Sequence, residues 1–191
     1  MRKIPCVFER DSTDLRHVTE IVNPLCQWVI NGEGVATRKW DGTACRVFEG
    51  RLYRRYDAKK GKTPPSNFEP CQEPDLITGH WPGWIPVGDG PQDQWYRAAW
   101  DAAKPMRSGT YELCGPHFQS NPEKFCTDVL IPHGDQCFSD VTRTFEGLRQ
   151  FLDLHRPLIE GLVFHHPDGR MAKIRRVDFG LSWGKKEGLN G

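Results

Sequence analysis

Apolar and polar residues alternate along three short stretches, Gly34 to Thr37, Ala44 to Phe48 and Leu52 to Tyr56, with glycine turns between them. A period of two is the strand period, and Glu49-Gly50 reads as the turn of a hairpin joining the second stretch to the third. Farther along the period lengthens. Trp95, Ala98, Ala99 and Ala102 recur at helical spacing, which predicts a helix over Gln92 to Ala103 stopped by Pro105. Phe145, Leu148, Phe151 and Leu152 form the apolar stripe of a second helix over Thr142 to Leu154, and these are core positions rather than cofactor contacts. Ile159 to His165 and Met171 to Arg175 read as strands joined by the turn sequence Pro167-Asp168-Gly169. Between Lys62 and Gly90 the chain is thick with Pro, Gly and Trp, including Thr63-Pro64-Pro65 and Trp81-Pro82-Gly83-Trp84-Ile85-Pro86. That segment predicts a long structured loop or a lid with neither helix nor long strand, its tryptophans either anchoring the loop to the core or offering a base-stacking platform. The tail Lys185 to Gly191 is expected to fray.

Length and composition narrow the picture. A chain of 191 residues has room for one domain with a sizeable core, and a single domain over 1–191 is the expectation. Net charge is +1, from 26 Lys and Arg against 25 Asp and Glu, so no whole-molecule field draws in nucleic acid and any such binding must come from a local patch. Arg51, Arg54, Arg55, Lys59, Lys60 and Lys62, opposed by Asp57 alone, are one candidate patch, with a solvated basic face as the ordinary alternative. The N-terminal residues carry charge rather than an apolar run, and no apolar run is long enough to span a bilayer, so an intracellular, cytoplasmic protein without a membrane partner is expected. Seven cysteines with no CxxC pair speak against a disulfide framework and a ribbon-type zinc site. His165 and His166, adjacent on a strand, point to opposite faces and make a poor joint ligand pair.

Candidate chemistry lies in four motifs in a fixed order: Lys39-Trp40-Asp41-Gly42, Tyr111-Glu112-Leu113-Cys114-Gly115, Glu160-Gly161-Leu162-Val163-Phe164 and Lys173-Ile174-Arg175. Together they supply a nucleophile, two carboxylates and a cationic pair. A lysine amine attacks only when neutral, and partial burial with cationic neighbours, Arg38 and in space Lys173 and Arg175, favours that form. Attack on the α-phosphorus of a nucleoside triphosphate would give a phosphoramidate and release pyrophosphate, and the charge to be spread calls for a divalent metal and fixed cations. Glu160 is the candidate metal ligand, through water. Lys173 and Arg175, two apart on a strand, face one way toward the α-phosphate. Glu112 suits a ribose hydroxyl, and Asp41 a water-mediated metal contact or the positioning of the incoming nucleophile in a later step.

These residues resemble the covalent nucleotidyltransferase superfamily of ATP-dependent RNA and DNA ligases and mRNA capping enzymes. Lys39-Trp40-Asp41-Gly42 matches the nucleophile motif KxDG, Glu160-Gly161-Leu162-Val163 matches EGxV, and Lys173-Ile174-Arg175 matches the last motif with arginine in place of the usual second lysine. Leu52-Tyr53-Arg54-Arg55-Tyr56 and the run from Tyr111 through Gly115-Pro116 to Asn121-Pro122 look like the compact ATP-dependent RNA ligases. The resemblance spans Ala36 to Arg176. It implies an α+β fold of two packed antiparallel sheets with flanking helices, the ATP-grasp-like nucleotidyltransferase domain of nucleic-acid ligases, with ATP in the groove between them. It also implies Mg2+ or Mn2+ as cofactor, and Lys39, Arg55, Glu112, Glu160, Lys173 and Arg175 as nucleotide-binding residues, with Arg54 the other candidate beside Arg55. The implied partner is RNA with 5′-phosphate and 3′-hydroxyl ends, sealed by a monomer through lysyl-AMP and an adenylated 5′ end, as in RNA repair. The chain ends soon after the last motif, with no room for a C-terminal OB domain, which favours RNA ligase over DNA ligase and capping enzyme. Two other readings use the same residues: an AMP transferase with a non-nucleic-acid acceptor, and a non-catalytic nucleic-acid-binding module.

Overall fold

The computed structural model describes residues 1–76, 78–104 and 106–184. Pro105, expected to stop a helix, and the tail Lys185 to Gly191, expected to fray, lie outside the described residues. In chain order the elements are β1 (Phe8–Arg10), β2 (Val18–Val22), α1 (Gln27–Ile30), β3 (Val35–Lys39), β4 (Thr43–Phe48), β5 (Arg51–Ala58), β6 (Glu69–Pro70), β7 (Trp81–Pro86) and α2 (Gln94–Ala103). They continue with β8 (Gly109–Cys114), β9 (Val129–Pro132), β10 (Cys137–Phe138), α3 (Phe145–Leu154), β11 (Gly161–His165) and β12 (Met171–Arg175). Every pair of these strands is antiparallel and helices are few, so the fold is α+β. Chain contacts define two compact units.

One unit comprises Ile4–Trp40 and the described residues from Gly134 onward. It holds a four-stranded sheet in the order β10-β3-β11-β12 and the ribbon β1-β2. Alternation along these strands sends Ala36, Leu162, Phe164, Ala172 and Ile174 to one face, all buried, where they pack with Phe8, Trp28, Val29, Leu148, Leu152 and Ile159. Helix α3 supplies Leu148 and Leu152 from the predicted stripe. It starts at Phe145 rather than Thr142 because the Thr144 hydroxyl, as N-cap, accepts the Gly147 N–H at 3.1 Å. Strand β11 starts at Gly161 rather than Ile159, since Ile159 is already committed to the core and Glu160 to the contacts described below.

The other unit comprises Met1–Lys3 and Asp41–His133. Its six-stranded sheet runs β6-β7-β5-β4-β8-β9. Cys45, Val47, Leu52, Tyr111, Leu113 and Leu130 pack with Ala99 of α2 on one face. The opposite face carries Ala44, Arg46, Tyr53, Arg55, Trp84 and Glu112, as register and alternation require. Glu49 and Gly50 both take positive φ, 48° and 71°, the geometry of the expected hairpin turn. Helix α2 begins two residues later than expected, after a 3-10 turn over Pro91–Asp93.

The segment Lys62 to Gly90 corrects its expectation: Trp81-Pro82-Gly83-Trp84-Ile85-Pro86 is a six-residue strand, β7, held between β5 and β6. Its prolines survive because of where their missing N–H groups fall. The Pro82 carbonyl accepts from Cys71, and Val87, next to Pro86, donates to Leu52 on the β5 side. Backbone groups alternate sides along a strand, so both prolines turn away from β5 toward the short, partial edge strand β6. The tryptophans here are anchors: Trp84 is buried, and the Trp81 indole N–H donates to the Gln72 carbonyl at 2.8 Å.

Truncation of Leu152, fully buried, to Ala is expected to cost about 2–5 kcal/mol of unfolding free energy. The same change at Leu154, 65% exposed, should fall within about 0.5 kcal/mol of the unaltered chain, as read by urea denaturation.

Candidate active site

Strand β3 ends on Lys39, and register decides what stands beside it. Lys39 is opposite Gly161 on β11, which is opposite Arg175 on β12; the next row is Thr37, Val163 and Lys173. Directly paired residues share a face, so Lys39, Lys173 and Arg175 project from the side of the sheet away from the core. Gly161 is required in the middle of this row, because a Cβ there would strike the Ile174 carbonyl oxygen and lie 2.8 Å from the Arg175 Cα. Just before it, the Glu160 carboxylate, on a residue only 7% exposed, contacts the Lys39 Nζ at 2.5 Å. Lys39 Nζ also donates to the Trp40 carbonyl at 3.4 Å. The backbone of Glu160 is fixed as well, its carbonyl accepting the Arg176 N–H at 2.9 Å.

The two cations of the last motif are used differently. Lys173 is flanked by Pro5 and Val7, to which its backbone bonds in both directions at 2.9 Å. Burial pushes its pKa down, the charges of Lys39 and Arg175 add to this, and Glu160 and Asp178 oppose it. Arg175 instead turns its fork to Asp178, with Nη2 to Oδ1 at 2.8 Å and Nε to Oδ2 at 3.3 Å. Asp178 is fully buried and is also bound by Arg10 at 2.8 Å and by the Arg175 backbone N–H at 2.8 Å. Burial pulls the Arg175 pKa down, but the hydrogen bond and charge of Asp178 outweigh it and the net shift is upward. Asp178 shows the reverse balance: burial raises its pKa, and Arg175 with Arg10 bring it below the ordinary carboxylate value. Cys6 Sγ lies 3.8 Å from Asp178 Oδ2, and burial foremost raises that thiol's pKa. Neither Asp178 nor Cys6 stands out as a site residue in the sequence, because nothing in the local motif marks either one.

Asp41, Arg55 and Glu112 belong to the other unit. Glu112 on β8 accepts the Gly42 N–H on Oε1 at 3.1 Å and meets His133 Nε2 on Oε2 at 2.9 Å. Gly42 makes room for β8: a Cβ there would run into the Leu113 carbonyl and lie 2.7 Å from Cys114 Sγ. The Asp41 backbone N–H donates to Glu123 Oε1 at 3.0 Å. Glu123 and His133 are further residues that the motifs did not flag. The two arginines of β5 separate by face. Arg55 lies on the face of Glu112, its Nε 3.1 Å from Asp57 and its Nη1 2.6 Å from the Met1 carbonyl. Arg54 lies on the α2 side, paired with buried Asp93 at 2.7 Å. The basic patch therefore reduces to Lys59, Lys60, Lys62 and Arg51, which are exposed.

No three His, Cys, Asp or Glu side chains converge for a metal among the described residues. Mg2+ does not need such a cage, since it keeps several waters and takes one or two carboxylates beside substrate phosphates, and Glu160 fits as one of these. His165 and His166 diverge, the first to Thr37 Oγ1 at 3.1 Å and the second to Glu33 and Asp168. Among the described residues no helix is long and apolar enough to cross a membrane.

Asp178→Asn strands two half-exposed arginines, and we expect it to cost about 2–3 kcal/mol at pH 7, somewhat less than a fully buried pair. Because the folded pKa of Asp178 is depressed, its contribution is complete above the unfolded value of about 4 and is lost as pH falls through the folded value. Denaturation curves of the two proteins should therefore stay equally separated from pH 7 to about pH 4 and converge below it.

No family model matches the chain. The chain is similar to curated proteins named RNA ligase 1: 25% identical to that of Rattus norvegicus over an alignment of 272 residues, covering 95% of this chain and 82% of the relative. RNA ligase 1 of Mus musculus is 25% identical, with 95% and 81% covered, and that of Pongo abelii is 26% identical, with 76% and 60% covered.

Proposed function

We propose that this chain is an ATP-dependent RNA ligase that joins 5′-phosphate and 3′-hydroxyl RNA ends through a covalent Lys39-AMP intermediate, on a nucleotidyltransferase fold. The observation that carries the reading is the Lys39 Nζ to Glu160 contact at 2.5 Å on a sheet face that also bears Lys173. An ordinary surface lysine is not held by an acid this buried with a second, desolvated ammonium beside it. Similarity to RNA ligase 1 proteins of rat and mouse supports RNA as the polymer.

In the first step Lys39, having lost its proton, attacks the α-phosphorus of ATP; the N–P bond forms and the bond to pyrophosphate breaks. Lys173 supplies fixed positive charge where the phosphate oxygens gain negative charge, and Arg175, anchored by Asp178, keeps a second charge on the same face. Glu160 orients the amine of Lys39. Glu160 would hold Mg2+ or Mn2+, Asp41 carries over from the sequence motif as a water-mediated metal contact, and the ion would supply charge neutralisation for the triphosphate. Glu112 and Arg55 carry over from the family resemblance as nucleotide-binding residues. In the second step a 5′-phosphate oxygen displaces Lys39 from the AMP phosphorus. In the third a 3′-hydroxyl attacks the activated 5′-phosphate, giving the phosphodiester and free AMP.

Intact mass after incubation with ATP and Mg2+ tests this. The unaltered chain should gain one AMP, about 329 Da, and Lys39→Ala none. Glu160→Gln should slow adenylation by about 100-fold or more, as the loss of a preorganised charge in a catalytic site does. Adenylation without sealing of any RNA end would point to an AMP transferase with another acceptor. Folded protein that is not already adenylated and gains no mass would sink the catalytic reading.

A further inference from the structure

Of the seven tryptophans, all among the described residues, Trp95 at the start of α2 is left exposed, at 42%. Its ring is stacked face to face with His117, at 3.5 Å between centroids and 10° between planes. Three other aromatic pairs in this unit, Tyr56 with Phe68, Phe68 with Trp81 and Tyr96 with Phe118, are edge-on, a usual arrangement in a core. A flat, parallel, exposed pair leaves an apolar area in water unless something covers it. His117 is also aimed: its Nδ1 lies 2.7 Å from Asp128 Oδ2, and its backbone N–H reaches Asp128 Oδ1 at 3.3 Å. The Asp128 side chain is only 9% exposed, while that of His117 is 38% exposed. In the tautomer whose Nδ1–H donates to Asp128, Nε2 is an acceptor, and it has no partner among the described residues.

The segment that carries His117 is held in a costly shape. Gln119, Ser120, Asn121 and Lys124 all have left-handed φ, from 48° to 60°, although none is glycine. Such residues cost roughly 1 kcal/mol or more each and persist where surrounding contacts over-determine them. Here the Asn121 side chain bonds the Phe125 backbone in both directions at 2.8 and 3.0 Å, and Glu123 grips the Asp41 N–H at 3.0 Å. The loop is thus tied at Asn121 and Glu123, while Asp128 holds the His117 ring where it stacks on Trp95.

We propose that the Trp95–His117 pair is a platform for one unpaired nucleotide of an RNA strand, whose base stacks on the rings while a ribose hydroxyl donates to His117 Nε2. Every base has a π-face, so stacking is tolerant of sequence, whereas an acceptor at Nε2 rewards the 2′-hydroxyl that RNA has and DNA lacks. The choice of RNA rests on the ligase reading above; the platform itself rests on the rings.

Fluorescence anisotropy with a short, labelled, single-stranded RNA and its DNA counterpart, on the full chain without ATP, reads the platform apart from the chemistry. Trp95→Ala should weaken RNA binding by about 5- to 100-fold, the range of a lost base stack, and Trp95→Phe should recover most of it. His117→Phe keeps a stacking ring and should erase the preference for RNA over DNA. Both variants should still take up AMP on Lys39. Unchanged RNA affinity in Trp95→Ala and His117→Phe, with adenylation intact, would overturn the platform and leave the ligase reading standing. Undiminished affinity combined with a lowered melting temperature would also overturn it, marking the pair as a structural clip. Platform-dependent RNA binding by a chain that never takes up AMP would uphold the platform and remove the ligase.

Discussion

The register between β3 and β11 is the constraint on which the candidate site depends. With Lys39 opposite Gly161 and Thr37 opposite Val163, one strand alternation sends aliphatic residues into the core and ionisable ones to the far face. A slip by one residue would exchange the two sets, burying ammonium groups and exposing Leu162 and Phe164. The buried apolar face therefore fixes the geometry of the charged one: Leu162, Phe164 and Ile174 hold the register in which Lys39 meets Glu160.

Charge is balanced locally within that unit rather than spread over its surface. Lys39 has Glu160, and Asp178 gathers Arg10 and Arg175 around a fully buried carboxylate. Lys173 lies between these two arrangements, its cationic neighbours and its burial acting together on one ammonium. A chain with a net charge of +1 thus carries a concentrated electrostatic feature that no whole-molecule sum reveals.

Much of this was legible in the alternation of apolar residues. The strands around Lys39, the Glu49-Gly50 turn and the stripe of α3 follow from local periodicity and turn chemistry, which neighbouring residues determine by themselves. Strand β7 was not legible, because prolines forbid a strand only where their N–H is needed, and that depends on which distant segment lies alongside. Arg54 and Arg55 are neighbours in sequence, yet one is committed to Asp93 and the other lies on the face of Glu112, a difference that register alone decides. Asp178, Glu123 and the pairing of Trp95 with His117 were hidden for the same reason: each takes its meaning from a partner outside any local window.

The pairing of β3 with β10 bears on how the chain is assembled. Thr37 and Ala36 stand opposite Cys137 and Phe138, and the whole of the six-stranded unit from Asp41 to His133 lies in the chain between them. Within that unit β4 meets β5 across a single turn, and β4 with β8 also closes a shorter loop than the one spanning the unit, so its ladders close at a smaller entropic cost than the pairs that span it. During synthesis from the N-terminus, Lys39 therefore emerges early but meets Glu160 and Lys173 only after the intervening unit has been made.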